Sequence, residues 1–199
     1  MRFAITFDYL CPFAAIANET VVAALEDPDG AGHEVEFKAF SLSQVHLQEG
    51  DTPVWEAETP PSGVLALLWG LAVRDKYPES FNTVHCAIFQ ARHLRAADIN
   101  DEAVLRGIVA EAGLDPDDIA RVVATGEPAR ALAADHTWGV DTHRVFGVPT
   151  WIAGDRAVFT RIMQRAADKA EATRTVERLL DLITGWPELN EFKYTRIPR

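Results

Sequence analysis

Phe7-Asp8-Tyr9-Leu10-Cys11-Pro12-Phe13-Ala14 is the stretch on which the fold turns. Before it, residues 2–7 alternate, with Phe3, Ile5 and Phe7 on one side and Arg2, Ala4 and Thr6 on the other, which is the period of a strand. After it, Phe13 to Leu25 carries Ile16, Val21, Val22 and Leu25 and reads as a helix, with Pro12 at a first position where its missing N–H costs nothing. Asp27-Pro28-Asp29-Gly30-Ala31-Gly32 is a loop. His33 to Phe40 then alternates again, Val35 and Phe37 opposing Glu34, Glu36 and Lys38. The chain therefore opens strand–helix–strand, with a crossover long enough for parallel pairing.

Further out, residues 41–61 read as loop and residues 62 to about 125 as helix throughout. Apolar groups recur at Val64, Leu65, Leu67, Leu68 and Leu71, at Phe81, Val84, Ile88 and Phe89, and at Val104, Leu105 and Ile108. Asp115-Pro116-Asp117-Asp118 is a helix start, with Asp at the cap and acids toward the positive end of the dipole. Another helix runs from Pro128 toward His143. Strand character returns at Val148-Pro149-Thr150-Trp151-Ile152 and, past a turn at Gly154-Asp155, at Ala157 to Phe159. Thr175 to Ile183 reads as a closing helix ended by Gly185 and Pro187. The expected architecture is α/β. Strands at both ends share one sheet over residues 1–61 and 128–199, and an all-helical insertion at 62–127 separates them.

Composition narrows the function classes. Apolar residues make up 48%, and 19 basic against 30 acidic side chains give a net charge of −11. No basic stripe suits nucleic acid, and no apolar run approaches the ~20 residues of a membrane span. Asp8 interrupts any signal-peptide core, and two cysteines are too few for a secreted disulfide scaffold. A soluble, acidic, cytoplasmic protein is the expectation.

Cys11 is the residue whose placement asks for chemistry. Orphan amides and the dipole at a helix start favour a thiolate, so a lowered pKa and a nucleophilic role are expected. A lone cysteine is otherwise a small buried hydrophobe, which is the reading given to Cys86. His136 and His143 are seven apart on one helix and lack the third ligand and close spacing of a metal site, so none is assigned. Trp55, Trp69, Trp138, Trp151 and Phe13 are candidates for an aromatic pocket wall or for core.

The opening motif, the helical insertion and Phe146-Gly147-Val148-Pro149-Thr150-Trp151 together resemble the DsbA-type thiol–disulfide oxidoreductases over nearly the whole chain. Within the insertion, Val84 to Ala91, Ala97-Asp98-Ile99 and Glu111 to Asp115 add to the likeness. The resemblance implies a thioredoxin-like fold, a nucleophilic Cys11, a cis-proline at Pro149 facing it, and a substrate cleft shaped by Pro12, Phe13, Val148 and Pro149. It implies no tightly bound cofactor. It implies instead a low-molecular-weight thiol, mycothiol or glutathione, as co-substrate, and a small-molecule or protein thiol or disulfide as substrate. The opening Phe-Asp-x-Leu-Cys-Pro and the tail Glu191 to Arg196 are similar to the mycothiol-dependent nitroreductase branch.

The departure is equally specific. The family motif is Cys-x-x-Cys and here it reads Cys11-Pro12-Phe13-Ala14, so Cys11 has no partner one turn on. The expected chemistry is a single cysteine forming a mixed disulfide that an external thiol resolves, and Cys86 is not expected to act as a distant resolving partner. The alternatives are a small-thiol-dependent transferase or isomerase, like the kappa-class glutathione transferases and 2-hydroxychromene-2-carboxylate isomerases, which carry Ser before Pro, or a non-catalytic binding module.

Overall fold

A computed structural model describes residues 1–30 and 32–191, so Phe192 to Arg196 of the similar tail lie outside the described residues. Strand β1 (Arg2–Phe7) leads through a short turn into helix α1 (Pro12–Leu25), and β2 (Glu34–Ala39) returns parallel to β1 in a register from Arg2–Glu34 to Phe7–Ala39. β3 (Thr150–Ala153) pairs antiparallel with the other side of β1, and β4 (Arg156–Phe159) antiparallel with β3, giving the order β2-β1-β3-β4. The strands from the two ends of the chain thus share one sheet.

The alternation in β1 predicts one buried face, yet every residue from Phe3 to Phe7 is buried. β1 is a central strand, so Ala4 and Thr6 are covered as fully as Phe3, Ile5 and Phe7. Their small size records that second covered face.

Between β2 and β3 stand α2 (Leu42–Val45), α3 (Val64–Lys76), α4 (Pro78–His93), α5 (Glu102–Glu111), α6 (Pro116–Ala124) and α7 (Glu127–His143). The single turn of α2 corrects the reading of 41–61 as loop alone, and it is capped by Ser41, whose Oγ accepts from the Gln44 N–H. Asp115 caps α6 as its sequence predicts, accepting from the Asp117 N–H. The last helix, α8 (Lys169–Gly185), starts six residues before the expected Thr175. Asp168 caps it by accepting from the Glu171 N–H, and the Glu171 carboxylate accepts back from the Ala167 N–H. The Asp168-x-x-Glu171 pair is a capping signature that apolar periodicity alone does not register.

The helical block and the sheet share one core. α3 packs on α4, α6 and α7, while α4 also packs along α1, and α1 lies against α8. At the junction Phe7, Phe37, Phe81 and Phe89 surround His85. His85 is fully buried and fully partnered. Asn18 Nδ2 donates to the Ala14 carbonyl, so Asn18 Oδ1 accepts from His85 Nε2, and His85 Nδ1 accepts from the Tyr9 hydroxyl. Burial holds this imidazole neutral, its pKa lowered to about 3.

Tyr9 fills its site with no room to spare. A Cβ at Gly70, in the middle of α3, would overlap the Tyr9 hydroxyl. Gly70→Ala should therefore destabilise the fold by about 1–3 kcal/mol through overpacking. Gly107→Ala, on α5 with nothing near its added methyl, should be neutral or stabilising by up to about 1 kcal/mol. Urea unfolding of the two variants checks the contrast, and equal effects would mean that Tyr9 can move away at little cost.

Candidate functional site

Cys11 is the N-cap of α1, in extended backbone (φ −91°, ψ 117°). Its Sγ accepts from the Ala14 N–H at 3.4 Å and donates to the Val148 carbonyl at 3.4 Å. Each chain segment meeting there is separately anchored. On one side, the Asp8 carboxylate accepts from the N–H groups of Leu10 (2.8 Å) and Leu42 (2.7 Å), and the Asp8 carbonyl accepts from the Cys11 N–H. The Tyr9 carbonyl accepts from His93 Nε2 at 2.9 Å, while its hydroxyl reaches His85.

On the other side the Val148–Pro149 peptide is cis. Thr150, the first residue of β3, fixes that loop from both directions. Its N–H donates to Thr6 Oγ1 in β1, and its own hydroxyl donates to the Gly147 carbonyl. β3 begins at Thr150, not Val148, because Val148 and Pro149 belong to this loop, and the Val148 carbonyl is turned to the thiol.

The structure thus brings Cys11, Pro12, Phe13, Val148 and Pro149 to one place. It adds Asp8, Thr6 and Thr150, which sequence reasoning passed over, and Tyr9, Asn18, His85 and His93, which hold the loop from the helical block. Arg161, just past β4, joins them, its guanidinium carbon 5.2 Å from the Phe13 ring centroid and 5.4 Å from that of Phe159. Phe159 in turn packs on the exposed Phe146. The buried polar character of Asp8, Asn18 and His85 was a usable signal only once their burial is known. Arg161 carries no local signal at all.

The electrostatics overturn one expectation. Burial pushes the Cys11 thiol up from its ordinary value, and this outweighs the N–H groups of Ala14 and Phe13 and the charge of Arg161, which pull it down, while Asp8 adds to the rise. A helix start lowers a thiol pKa where the sulfur is solvated. Here Cys11 as a residue is only 9% exposed, and as S–H it has a carbonyl to donate to. Burial and this bond both favour the S–H form of Cys11 in the free protein.

Asp8 is likewise displaced. Burial raises its carboxyl to about 6, although the two amides pull the other way.

Other candidates fall elsewhere. Cys86 follows His85, whose ring bonds to Asn18, two helical turns down α1 from Cys11 and so about 10 Å along the axis. Its thiol is pushed up to about 12 by burial, with Glu19 and Glu26 adding to the rise, which is the signature of an inert thiol. His136 Nδ1 accepts from the Ser41 N–H and its ring stacks on Phe40, with its pKa lowered to about 4 by burial. Trp69 and Trp151 are core, Trp55 packs on His136, and Trp138 packs on His143. Of the five aromatics only Phe13 stands at the thiol. Concavities of about 330 and 440 Å³ lie between α4 and α5 and beside β2, and neither is lined by Cys11, Val148 or Pro149. No helix among the described residues is long and apolar enough to cross a membrane.

A family profile described as a DSBA-like thioredoxin domain matches residues 63–170, a span that holds the cis-proline loop and begins after Cys11. No curated protein matches the sequence. Among solved structures, the cytosolic disulfide reductase DsbM from Pseudomonas aeruginosa, with GSH, superposes with a TM-score of 0.65 at 18% identity, over 92% of this chain and 100% of that one. A probable DsbA oxidoreductase from Streptomyces coelicolor gives 0.58 at 19% identity, over 98% and 93%. A 2-hydroxychromene-2-carboxylate isomerase gives 0.64 at 14% identity, over 96% and 100%. At these identities the likeness is one of fold.

Two pH profiles follow. The iodoacetamide rate at Cys11 should rise with pH to a midpoint above that of the cysteine in an unstructured peptide of the same local sequence, and a midpoint below it would show a thiolate the site stabilises. Asp8 is neutral more readily folded than unfolded. Its contribution to stability is therefore complete below its unfolded value of 3.8 and is lost as pH rises through about 6. Relative to Asp8→Asn, the wild type should gain about 1 kcal/mol between pH 7 and pH 5. Urea midpoints at the two pH values read this, and parallel behaviour of the two proteins would place the Asp8 pKa at its ordinary value.

Proposed function

Because the chain belongs to the family of DSBA-like thioredoxin domains, we propose that it is a thiol-dependent oxidoreductase acting through one cysteine, Cys11, in the cytoplasm. The observation that carries this reading is the pairing of Cys11 Sγ with the Val148 carbonyl beside the cis-proline, where Ala14 occupies the place of a second motif cysteine.

A substrate lying extended along Val148 offers its own N–H to the Val148 carbonyl. The thiol then loses the acceptor that favours S–H, and the N–H groups of Ala14 and Phe13 and the Arg161 charge favour the thiolate against burial and the Asp8 charge. The thiolate attacks one sulfur of a disulfide R–S–S–R. A Cys11–S–S–R bond forms, the old S–S bond breaks, and R–S⁻ leaves with the electron pair and takes up the proton. A low-molecular-weight thiol R′–SH, glutathione or mycothiol, then attacks the R sulfur of the adduct: an R–S–S–R′ bond forms, the bond to Cys11 breaks, and Cys11 leaves with the electron pair and takes up the proton that R′–SH gave up. The Pro12 and Phe13 side chains and the Pro149 ring border this position and shape what can approach.

The raised thiol favours a second reading, a binding module that keeps the cleft and has no redox step, since such a protein has no use for a thiolate. Intact mass after incubation with oxidised glutathione separates the two. Wild type should gain one adduct, Cys11→Ser none, and Ala14→Cys should expel the adduct by closing a disulfide with Cys11 one turn away. An unmodified wild type would select the binding module, and an adduct on Cys86 would mean that the reacting thiol is misplaced.

A further inference from the structure

Arg161 is exposed, and among the described residues no carboxylate pairs with it, although the chain holds 30 acidic side chains against 19 basic ones. Its neighbour Arg165 is paired with Glu19 at 2.6 Å. Instead the Arg161 guanidinium lies over two rings, Phe13 and Phe159, at 5.2 and 5.4 Å. A guanidinium held over ring faces keeps the in-plane N–H fork that matches a carboxylate. Phe13 is two residues from Cys11, and Arg161 is the cation whose charge is felt at the thiol. A protein of net charge −11 otherwise repels anions from its surface, so an unneutralised arginine held over the Phe13 ring, its charge felt at Cys11, reverses the local preference.

We propose that Arg161 anchors a carboxylate of the thiol or disulfide that exchanges at Cys11, so that the co-substrate is an acidic low-molecular-weight thiol and not a neutral one. This rests on the reading of Cys11 as the reacting thiol. Glutathione has the required chemistry, with a carboxylate at each end of the molecule, whereas mycothiol has none. The bond changes are those of the exchange above. Arg161 forms no covalent bond and moves no proton; it holds the incoming disulfide with one sulfur toward Cys11.

The test is the rate at which Cys11 is converted to a mixed disulfide by oxidised glutathione, relative to the rate with bis(2-hydroxyethyl) disulfide, which carries no carboxylate. Intact mass of the full chain reads both. Arg161→Gln should lower the ratio of the two rates roughly three- to tenfold, as expected for one partly exposed, bidentate ion pair. Arg161→Glu should lower it further, Arg161→Lys should restore part of it, and Arg165→Gln should leave it unchanged. The ratio matters because losing the Arg161 charge also makes the thiol harder to ionise, which slows both disulfides equally and appears separately as a slower iodoacetamide reaction. If Cys11 is modified by both disulfides and the ratio is the same in wild type and Arg161→Gln, the anchor is refuted while the single-thiol function stands. If neither disulfide modifies wild-type Cys11, the single-thiol function fails and the anchor fails with it.

Discussion

The contact between Cys11 Sγ and the Val148 carbonyl joins positions 137 residues apart, and most of the fold serves to make it. It requires β3, from the far end of the chain, to lie against β1, and it requires the turn after β1 to end on a helix. The Thr150 N–H to Thr6 Oγ1 bond locks the first, and the Asp8 carboxylate, gripping Leu10 and Leu42, locks the second. The strand pairing itself is short on this side, with Ala4 opposite Ile152 and Ile5 opposite Trp151. The side-chain bond from Thr6 therefore extends the ladder to the point where the chain leaves it for the cis-proline loop.

The helical block contributes to the same point from the other side. Tyr9 lies between Asp8 and Cys11 in the chain, and its hydroxyl and carbonyl are held by His85 and His93 of α4, eight residues apart and so on one face of that helix. Asn18 continues the chain of hydrogen bonds back into α1. Each polar atom in this chain has a partner, which is what allows a neutral histidine to sit fully buried among phenylalanines. Reorientation of α4 against α1 would thus be felt at the Cys11 loop through hydrogen bonds as well as through packing.

Much of this was legible in the sequence and part was not, for physical reasons. The strand–turn–helix opening, the helical middle and the returning strands follow from apolar period and from Pro and Asp at helix starts, which are local signals. Apolar period does not register the early start of α8 because its first turn is polar and is set by capping. The helix start at Cys11 is a local property and points to a lowered pKa, whereas the burial that raises it is not local. Val148, 137 residues away, supplies the carbonyl to which the thiol donates. Asp8, Tyr9 and His85 are ordinary residue types whose importance comes from being enclosed, and Arg161 reaches the site only because β3 and β4 turn back across the sheet.

The protonated resting thiol changes how a single-cysteine mechanism would work. An exposed, permanently ionised cysteine with no partner one turn away is open to any disulfide or oxidant, and nothing local reverses the damage. A thiol that is almost covered and bonded to a backbone carbonyl is protected until something else occupies that carbonyl. In the proposed reaction, that something is the N–H of a substrate already docked along Val148. Docking and ionisation are then one event. On that proposal, selectivity would come from the shape beside Pro149 and from the Phe13–Arg161 side, and reactivity would rise in the docked complex. Ala14 fits this arrangement, since its N–H reaches the sulfur as any residue's would, while its methyl is fully buried and offers no second thiol to compete for the adduct.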